Sequence, residues 1–475
     1  FGSSLYGFKR REVDRLGMME KPSPLIAEFL GTFIFTFAVG CNGLSTATET
    51  WMPTVAALVL MAFTYGFAEI SGAYFNPAVN LSAALCRKLT WTKAATYTVV
   101  QLCAGILAGL ASDRLHTPRG VAFAPTGLWW VCMIVEAVYT AMLAFVVLNV
   151  RHSSRNNPPD SSNQFHGLAI AGVVLAGSTV ARDTTGGIFN PAVAVGLDIS
   201  RYQYGIYWGF IYTSWQIIGA CVATLLFRSV RPEELLHSEA AHQNWPSLPT
   251  RLACEFVGTF SIMLTAALGA LMQMSAVAWA VAATLLSMSY ALSDVSGGHF
   301  NPAVTLATTL CGRSTCSPRQ AAGYVCFQCI AGVLAALLAT GLRDGATFSL
   351  QPKDPFTLKS VFTVELIFTY LVVLVHLGTV TTSGIPTLVG RNFYFGLATS
   401  MAVMSGTLVG SSISGSGWLN PAMSLGVAVA NTLESGGFYI FNCDVVAEIL
   451  AAALAALTFF ATHGDHHHSA KPKPV

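Results

Sequence analysis

Long apolar runs alternate with short polar breaks along almost the whole chain. A run of about 20 apolar residues is long enough to cross the hydrocarbon core of a bilayer as an α-helix. Twelve such runs occur, six in each half of the 475 residues. The pattern therefore predicts an all-α integral membrane protein. The runs begin near Pro24, Pro53, Thr92, Leu128, His166, Tyr204, Arg251, Ser275, Arg319, Ser360, Asn392 and Phe438.

One long polar segment separates the sixth run from the seventh and divides the chain nearly in half. It has the sequence SVRPEELLHSEAAHQNWPSLP. The pattern predicts two units of six spans joined by this linker. The predicted boundaries are an N-terminal tail at 1–23, a first unit at 24–228, the linker at 229–249, a second unit at 250–461 and a C-terminal tail at 462–475.

A short motif, Asn-Pro-Ala, recurs four times in register with the apolar runs, twice in each half. Each copy follows a glycine-containing turn and precedes an apolar stretch too brief to cross a bilayer. Because Asn suits the cap of a helix and Pro its first turn, each motif predicts the start of a half-length helix. The motifs are Asn76-Pro77-Ala78, Asn190-Pro191-Ala192, Asn301-Pro302-Ala303 and Asn420-Pro421-Ala422.

A glutamate followed four residues later by a threonine repeats on the same schedule. Two half-helices per unit, separated by three spans, enter from opposite membrane faces, and their irregular backbone needs protein partners at the midplane. A carboxylate inside a span is also expensive unless protein groups bind it. We therefore expect these glutamates to accept hydrogen bonds from the loop amides rather than to face interfacial water. They are Glu28, Glu136, Glu255 and Glu365.

Composition agrees with a membrane protein and argues against other classes. Only 10% of the residues are charged and 53% are hydrophobic, whereas a soluble domain has roughly 25% charged residues. A net charge of +2 offers no concentrated basic surface for nucleic acid. The sequence contains no nucleophile elbow, metal-binding quartet or phosphate loop, so it indicates neither an enzyme nor a cofactor or metal site. Cys326 and Cys329 fall inside a predicted span, where small residues pack helices together.

The motifs resemble those of the major intrinsic protein family, the aquaporins and aquaglyceroporins, over about residues 20–460. Residues 296–306, SGGHFNPAVTL, closely resemble the family's first pore loop, and residues 71–79, SGAYFNPAV, are similar with Tyr74 where a His is usual. The resemblance implies two tandem units, each of six transmembrane helices and two re-entrant half-helices around one pore. The third spans also carry the family's Tyr, Gln and Gly, as Tyr97/Gln101/Gly105 and Tyr324/Gln328/Gly332.

The resemblance also implies how each pore selects its solutes. Two half-helix N-termini direct their positive dipole ends at the pore centre, and paired Asn side chains donate hydrogen bonds to a passing oxygen. Asn76 is expected to pair with Asn190, and Asn301 with Asn420. Such a centre admits neutral solutes and repels cations, including hydronium.

The selectivity filters implied by the resemblance depart from the family pattern. An Arg normally follows the second pore-loop Asn by three residues, but this chain has Val193 and Met423 there. Counted along the family pattern without gaps, the other filter positions are Ala56, Ser178 and Gly187 in the first unit and Val281, Leu408 and Gly417 in the second. The first constriction is therefore expected to be wide and mildly polar, and the second mostly apolar.

The sequence thus predicts a passive channel for water or small neutral solutes such as glycerol, urea, ammonia or hydrogen peroxide. The first unit is expected to pass solutes larger than water. The second is expected to pass little polar solute, because apolar constrictions gate by dewetting. The alternative is a nonconducting structural subunit of a larger membrane complex, a role that the altered filters permit.

Two acids, Asp444 and Glu448, lie four residues apart on the last span, where related chains usually have small or neutral residues. Inside the membrane such a pair indicates an ion or proton site, or a polar contact with a neighbouring subunit. A span that begins later in the sequence would instead leave both in interfacial water. The sequence alone does not decide between these interpretations.

The basic residues predict the orientation of the chain. Of the 25 Lys and Arg residues, 18 fall on the side that holds both termini and the linker, so the termini are predicted to be cytoplasmic or on an equivalent side. Because each unit has an even number of spans, both insert in parallel. The resemblance to a tetrameric family implies a homodimer that forms a pseudo-tetramer in contact with membrane lipid.

Overall fold

The computed structural model describes residues 22–41, 51–115, 123–158, 162–235, 246–313, 316–348, 351–380, 393–414, 417–436 and 442–463. Within these ranges the regular structure is entirely helical. Most of both predicted tails, residues 236–245 of the predicted linker, and Gly415 and Ser416 before the last motif lie outside the described residues.

The first half contains six long helices and two half-helices. The half-helices are α3 and α7, and a π-helical turn, Leu148–His152, extends α5. The elements are α1 Pro22–Cys41, α2 Met52–Phe67, α3 Pro77–Leu85, α4 Trp91–Asp113, α5 Trp129–Val147, α6 His166–Ala181, α7 Pro191–Ser200 and α8 Trp208–Val230.

The second half repeats this order after a 3₁₀ turn at Pro232–Leu235. Its half-helices are α11 and α15. The elements are α9 Leu248–Leu271, α10 Val277–Ser296, α11 Pro302–Leu310, α12 Pro318–Gly341, α13 Leu358–Val380, α14 Phe395–Ile413, α15 Pro421–Ser435 and α16 Asn442–His463.

The twelve predicted spans correspond to twelve helices, and each helix begins within four residues of its predicted start. In the described part of the chain, ten of them are long and apolar enough to cross a membrane. The other two, α2 and α6, have 16 residues each, which span only about 24 Å. Both lead directly into a pore loop. The chain is therefore an integral, multi-pass membrane protein.

Helix packing repeats between the halves. The first helix of each unit packs against the third, α1 on α4 and α9 on α12, while the fourth packs against the sixth, α5 on α8 and α13 on α16. The half-helices sit tightly against these pairs. A Cβ on Gly105 would lie 2.2 Å from the carbonyl oxygen of Ala192, and one on Gly332 would lie 2.2 Å from that of Ala422. Only glycine allows this approach, which explains why the third spans carry it.

The two halves pack together through α9 and α10 of the second unit, which lie against α6 and α8 of the first. Ser287 on α10 donates a 2.7 Å hydrogen bond to the Ala169 carbonyl on α6. The rings of Phe165 and Tyr290 stack with centroids 4.9 Å apart. The contact between units is thus close-packed, with hydrogen bonds that cross it.

The predicted linker begins inside this contact. Arg231 is fully buried, and its guanidinium binds both carboxylate oxygens of Asp294 on α10 at 2.6 and 2.8 Å. Glu233 and Glu234 pair with Arg155 and Lys88 of the first unit. The charged side chains at the start of this segment, Arg231, Glu233 and Glu234, are therefore ion-paired at the ends of the helices.

Candidate functional site

Each Asn-Pro-Ala motif begins a half-helix, because its Asn caps the helix and its Pro occupies the first turn. The Asn Oδ1 accepts a hydrogen bond from the Ala amide two residues later, at 2.8 to 3.1 Å in the four copies. The residue before each Asn has a positive φ of 48 to 57°, a conformation that is strained for a side chain other than glycine. These residues are Phe75, Phe189, Phe300 and Leu419.

The residue in this strained conformation also contacts the other half-helix of its unit. Its backbone carbonyl accepts a hydrogen bond from the motif Asn of that half-helix. In the first unit, Asn76 Nδ2 donates to the carbonyl oxygen of Phe189 and Asn190 Nδ2 donates to that of Phe75, each at 2.8 Å. The structure therefore pairs Asn76 with the loop of Asn190. One hydrogen of each side-chain amide is used in this way, which leaves the other for a solute.

The second unit has the same reciprocal arrangement. Asn301 Nδ2 donates to the Leu419 carbonyl at 2.7 Å, and Asn420 Nδ2 donates to the Phe300 carbonyl at 2.9 Å. Each pair of asparagines belongs to a single unit, and none of the four hydrogen bonds joins one unit to the other. Two half-helix N-termini consequently meet inside each unit.

Three of the predicted glutamates hold their pore loops in the same way. Glu28 accepts the amides of Tyr74 and Phe75, the hydroxyl of Ser71 and the side-chain amide of Gln101. The corresponding donors, listed by their carboxylate, are Thr185, Ile188, Phe189 and Gln216 for Glu136, and Ser296, His299, Phe300 and Gln328 for Glu255. A buried carboxylate with four donors is well compensated for its lost hydration.

Glu136 and its pore loop have two partners on the sixth span of their unit that the sequence did not predict. Tyr212 donates to the Thr185 carbonyl at 3.1 Å, and Gln216 donates to the carboxylate at 2.9 Å. The same Tyr and Gln spacing had been recognised in the third spans, so the signal was present in the sequence. Tyr97 and Tyr324 make the equivalent bonds to Ser71 and Ser296.

The fourth glutamate is held differently. Glu365 accepts the Leu419 amide at 3.0 Å and also the Trp418 amide. On α16, the acids predicted to lie either inside the membrane or in interfacial water are buried: Asp444 is 3% and Glu448 0% exposed. The interfacial interpretation is therefore wrong, and three carboxyl groups meet beside the second pore loop of the second unit.

The first unit contains two cavities, one lined by its predicted filter residues and one by its motif asparagines. The wider has a volume of about 400 Å³ and is lined by the predicted filter residues Ala56, Ser178 and Gly187. The narrower has about 20 Å³, room for roughly one water molecule. Both are lined by Phe35 and Ile188, neither of which the sequence analysis identified. The rest of the narrow cavity is lined mostly by apolar side chains, with Tyr74, Asn76 and Asn190 as the polar ones.

Charged groups line the wide cavity although Val193 stands at the usual Arg position. Val193 itself is fully buried. Arg182 and Arg201 line the cavity instead, and Arg182 is paired with Asp183 at 2.8 Å. These arginines come from the end of α6 and the turn after α7, so no motif in the sequence pointed to them.

The structure corrects one predicted filter position of the second unit. Leu408 is 44% exposed on α14 and faces away from the pore loop. Thr407 occupies the place instead, because its hydroxyl donates to the Gly417 carbonyl at 3.0 Å just as Ser178 donates to that of Gly187. One extra residue between α14 and the motif shifts the register, which a count without gaps cannot detect. Val281 and Met423 are both buried.

Comparison with known proteins gives a consistent result. A family model described as Major intrinsic protein matches residues 18–227, 130–271 and 266–459. Aquaporin NIP1-1 of Zea mays is 28% identical over 217 residues, which cover 44% of this chain and 74% of the relative. Aquaporin NIP1-2 of Oryza sativa subsp. japonica is 29% identical over 232 residues, 45% of this chain and 75% of the relative. Nodulin-26 of Glycine max is 29% identical over 217 residues, 44% and 77% respectively.

Proposed function

Because the chain belongs to the major intrinsic protein family, a family of channels for water or small solutes, we propose that it is a tandem channel whose first unit conducts small neutral solutes. The two units are residues 24–228 and 250–461, joined by residues 229–249. The observation that carries the proposal is the reciprocal bonding of Asn76 and Asn190 at a cavity with a volume of about 20 Å³, which holds roughly one water molecule.

The pore centre of the first unit supports selection by size and charge. Asn76, Asn190 and the phenol of Tyr74 are the polar side chains in its lining, while most of the surrounding side chains, such as Leu60 and Val174, are apolar. Two helix N-termini carry partial positive charge there, so a cation pays both a desolvation and a repulsion cost. A neutral molecule with a polar oxygen or nitrogen replaces its lost water at the free amide hydrogens.

The narrow centre refines the range of solutes expected from the filter. The wide, mildly polar filter at Ala56, Ser178 and Gly187 does not exclude glycerol or urea. The cavity at the centre has a volume of about 20 Å³, room for roughly one water molecule, so it favours the smallest solutes. We therefore propose water, ammonia and hydrogen peroxide as the solutes of the first unit, ahead of glycerol and urea.

Replacing Leu60 by Ala is expected to admit glycerol and urea to the first pore. Leu60 lines the narrow cavity, and its truncation to Ala enlarges that cavity. Stopped-flow swelling of proteoliposomes should give a glycerol permeability about tenfold above wild type, equivalent to about 1.4 kcal/mol in the barrier. Leu225→Ala, on an exposed face of α8, is the control. Equal glycerol flux in wild type and Leu60→Ala would contradict the proposed size limit.

The second unit is proposed to conduct polar solutes at a lower rate than the first unit does. Val281 and Met423 at its filter are apolar and buried, and Trp418 is buried beside Phe348 at the mouth of its loop. Thr407 offers a hydroxyl, but it is already donated to the Gly417 carbonyl. An apolar constriction excludes water by dewetting. Water permeability that survives disruption of the first pore would measure what the second contributes.

The exposed faces of the two units support a homodimer. The helices between the units, α9 and α10, are 78% and 89% buried over their spanning windows, whereas α1, α13 and α14 are 39%, 39% and 44% buried. In the internal contact, Tyr290 of α10 stacks on Phe165 before α6. By the internal repeat, Tyr65 of α2 and Tyr394 before α14 are their counterparts, and both are exposed. In a homodimer, Tyr65 of each copy would contact Tyr394 of the other copy, which gives two such contacts.

Native mass spectrometry tests the proposed dimer directly. The intact chain of 50.3 kDa is expected to run as a dimer in native mass spectrometry, with four channel units around a pseudo-fourfold axis. Tyr394→Ala removes a ring that is 61% exposed and is expected to shift the population toward monomer. Phe210→Ala, an equally exposed ring on α8, should leave the dimer intact. A wild-type chain that stays monomeric would contradict the proposal, as would equal effects of the two variants.

A further inference from the structure

The fourth pore loop lacks the glutamine that completes the carboxylate site of the other three. Gln101, Gln216 and Gln328 each donate a side-chain N–H to the glutamate of their quarter, at 2.8 to 2.9 Å. Two of them also contact the residue four positions after the motif Asn, since Gln101 bonds Asn80 and Gln328 bonds Thr305. The glutamine therefore links the half-helix to the carboxylate that holds its loop.

Glu448 occupies the glutamine position in the fourth quarter. It contacts Ser424, which lies four residues after Asn420 just as Asn80 follows Asn76 and Thr305 follows Asn301. Its carboxyl group interacts electrostatically with that of Glu365. Asp444, one helical turn earlier, stands where the other quarters have a tyrosine. The fourth quarter thus has acids in place of both neutral donors.

Glu448 is buried with two donors, the backbone amide of Asn420 and the Ser424 hydroxyl at 3.4 Å. Its Oε2 atom makes no hydrogen bond within the described residues, and the side chain is completely buried. Two facing carboxylates in a membrane interior, both ionised, would repel each other without solvent to screen them. A protonated carboxylic acid, by contrast, has nearly the shape of a glutamine amide and presents one donor beside one acceptor.

We propose that Glu448 binds a proton, and that as a neutral acid it donates to Glu365 the hydrogen bond that glutamine donates in the other quarters. The ligand of this site is the proton itself, shared between two carboxyl groups. Asp444 lies one turn closer to the start of α16 and connects the pair to the membrane face opposite the chain termini. The added hydrogen bond would compensate Glu365 for its lost hydration, because its carboxylate otherwise has only the two loop amides as donors.

The surroundings favour a proton over a metal ion or an ion pair. Within the described residues, no group of three His, Cys, Asp or Glu side chains has the geometry to hold a metal ion, and the ion pairs of those residues involve other carboxylates. Three elements pack on α16. Of these, α11 has no titratable side chain and α15 has only Glu434 near its end, while α13 contributes Lys359, Glu365, Tyr370 and His376. His376 lies about 16 Å along α13 from Glu365.

Loss of the proton would act on the second pore. The Glu365 carboxylate accepts a hydrogen bond from the backbone amide of Leu419, and the Leu419 carbonyl accepts one from the side-chain amide of Asn301. Two like charges behind this peptide group would loosen both bonds. The neutral pair is the stabilising form, so stability should be complete at low pH and fall as pH rises through ionisation of the pair. The effect on flux rests on the proposed channel function, whereas the proton site does not.

Infrared spectroscopy of the full chain in proteoliposomes tests the proton directly. The carbonyl stretch of a protonated carboxylic acid is expected in wild type at neutral pH and should disappear on titration to alkaline pH. Glu448→Gln should remove one protonated carboxyl per chain and make thermal stability less dependent on pH. This variant has the residue that the other three quarters carry, so it is expected to fold. Gln328→Glu, which recreates the acid pair with Glu255, should add one protonated carboxyl.

The opposing results are equally definite. A wild-type spectrum without a protonated carboxyl, or an unchanged band in Glu448→Gln, would overturn the proposal. So would a thermal shift on adding sodium or calcium ions that Glu448→Gln abolishes, because the site would then bind a cation. A band that behaves as expected in a chain without solute flux would leave the proton site standing and refute only the channel function.

Discussion

Replacing Asn190 by Asp is expected to abolish neutral solute flux through the first unit while leaving its half-helix in place. Aspartate caps helices as well as asparagine does, so Oδ1 still accepts the Ala192 amide. It cannot donate to the Phe75 carbonyl, which Asn190 Nδ2 contacts at 2.8 Å. The carboxylate also brings a charge into a cavity of about 20 Å³ lined mostly by apolar side chains. Hydrogen peroxide entry into proteoliposomes should fall at least about tenfold.

Asn420→Asp is the matched variant in the second unit, because Asn420 makes the same two bonds. It is expected to leave most of the flux unchanged if the first unit carries it. Flux that survives Asn190→Asp but is lost in Asn420→Asp would reverse the assignment of the two units. Wild-type flux no higher than that of protein-free liposomes would favour the nonconducting subunit that the altered filters also permit.

Much of the fold could be predicted from the sequence because membrane burial imposes a strict pattern. A span must be long and apolar, and a half-helix inside the bilayer must have its cap and its proline at fixed places. The four Asn-Pro-Ala motifs and the four glutamates therefore identified the pore loops before any coordinates. The contacts of Glu28, Glu136 and Glu255 follow from the same need to bind a buried carboxylate.

The remaining features depend on contacts that no local pattern records. Leu408 was assigned to the filter because the count ignored one inserted residue, and only the hydroxyl bond of Thr407 reveals the shift. Phe35 and Ile188 line both cavities, yet each is an ordinary apolar residue in the sequence. The burial of Asp444 and Glu448 depended on where α16 begins, and helix ends are the least certain part of a sequence-based prediction.

The linker shows that a polar local composition does not decide burial. Its composition predicted the connection between the two units, and Arg231 is one of the residues that give it this polar character. The structure buries Arg231 between the units, where its Nε donates to Asn149 at 2.8 Å and an Nη donates to the Ala291 carbonyl at 2.7 Å. A long side chain that is polar in isolation can thus become the best-satisfied group of an interface.

Replacing Arg231 by Met is expected to destabilise the contact between units by about 3–5 kcal/mol. The change leaves Asp294 buried without its bidentate partner and removes the donors to Asn149 and Ala291. Thermal unfolding of the full chain should show a lower midpoint and a separation into two transitions, since the ion pair joins α8 of one unit to α10 of the other.

Two further variants distinguish loss of this ion pair from loss of charge in general. The double variant Arg231→Met with Asp294→Leu should recover much of the stability, because apolar residues of similar volume can replace a buried pair once no charge is left alone. Arg182→Met breaks a pair whose acid is 52% exposed, and should cost only about 0–1 kcal/mol. If Arg231→Met were as mild as Arg182→Met, the two units would be held together by apolar packing alone, and the burial of this arginine would need another explanation.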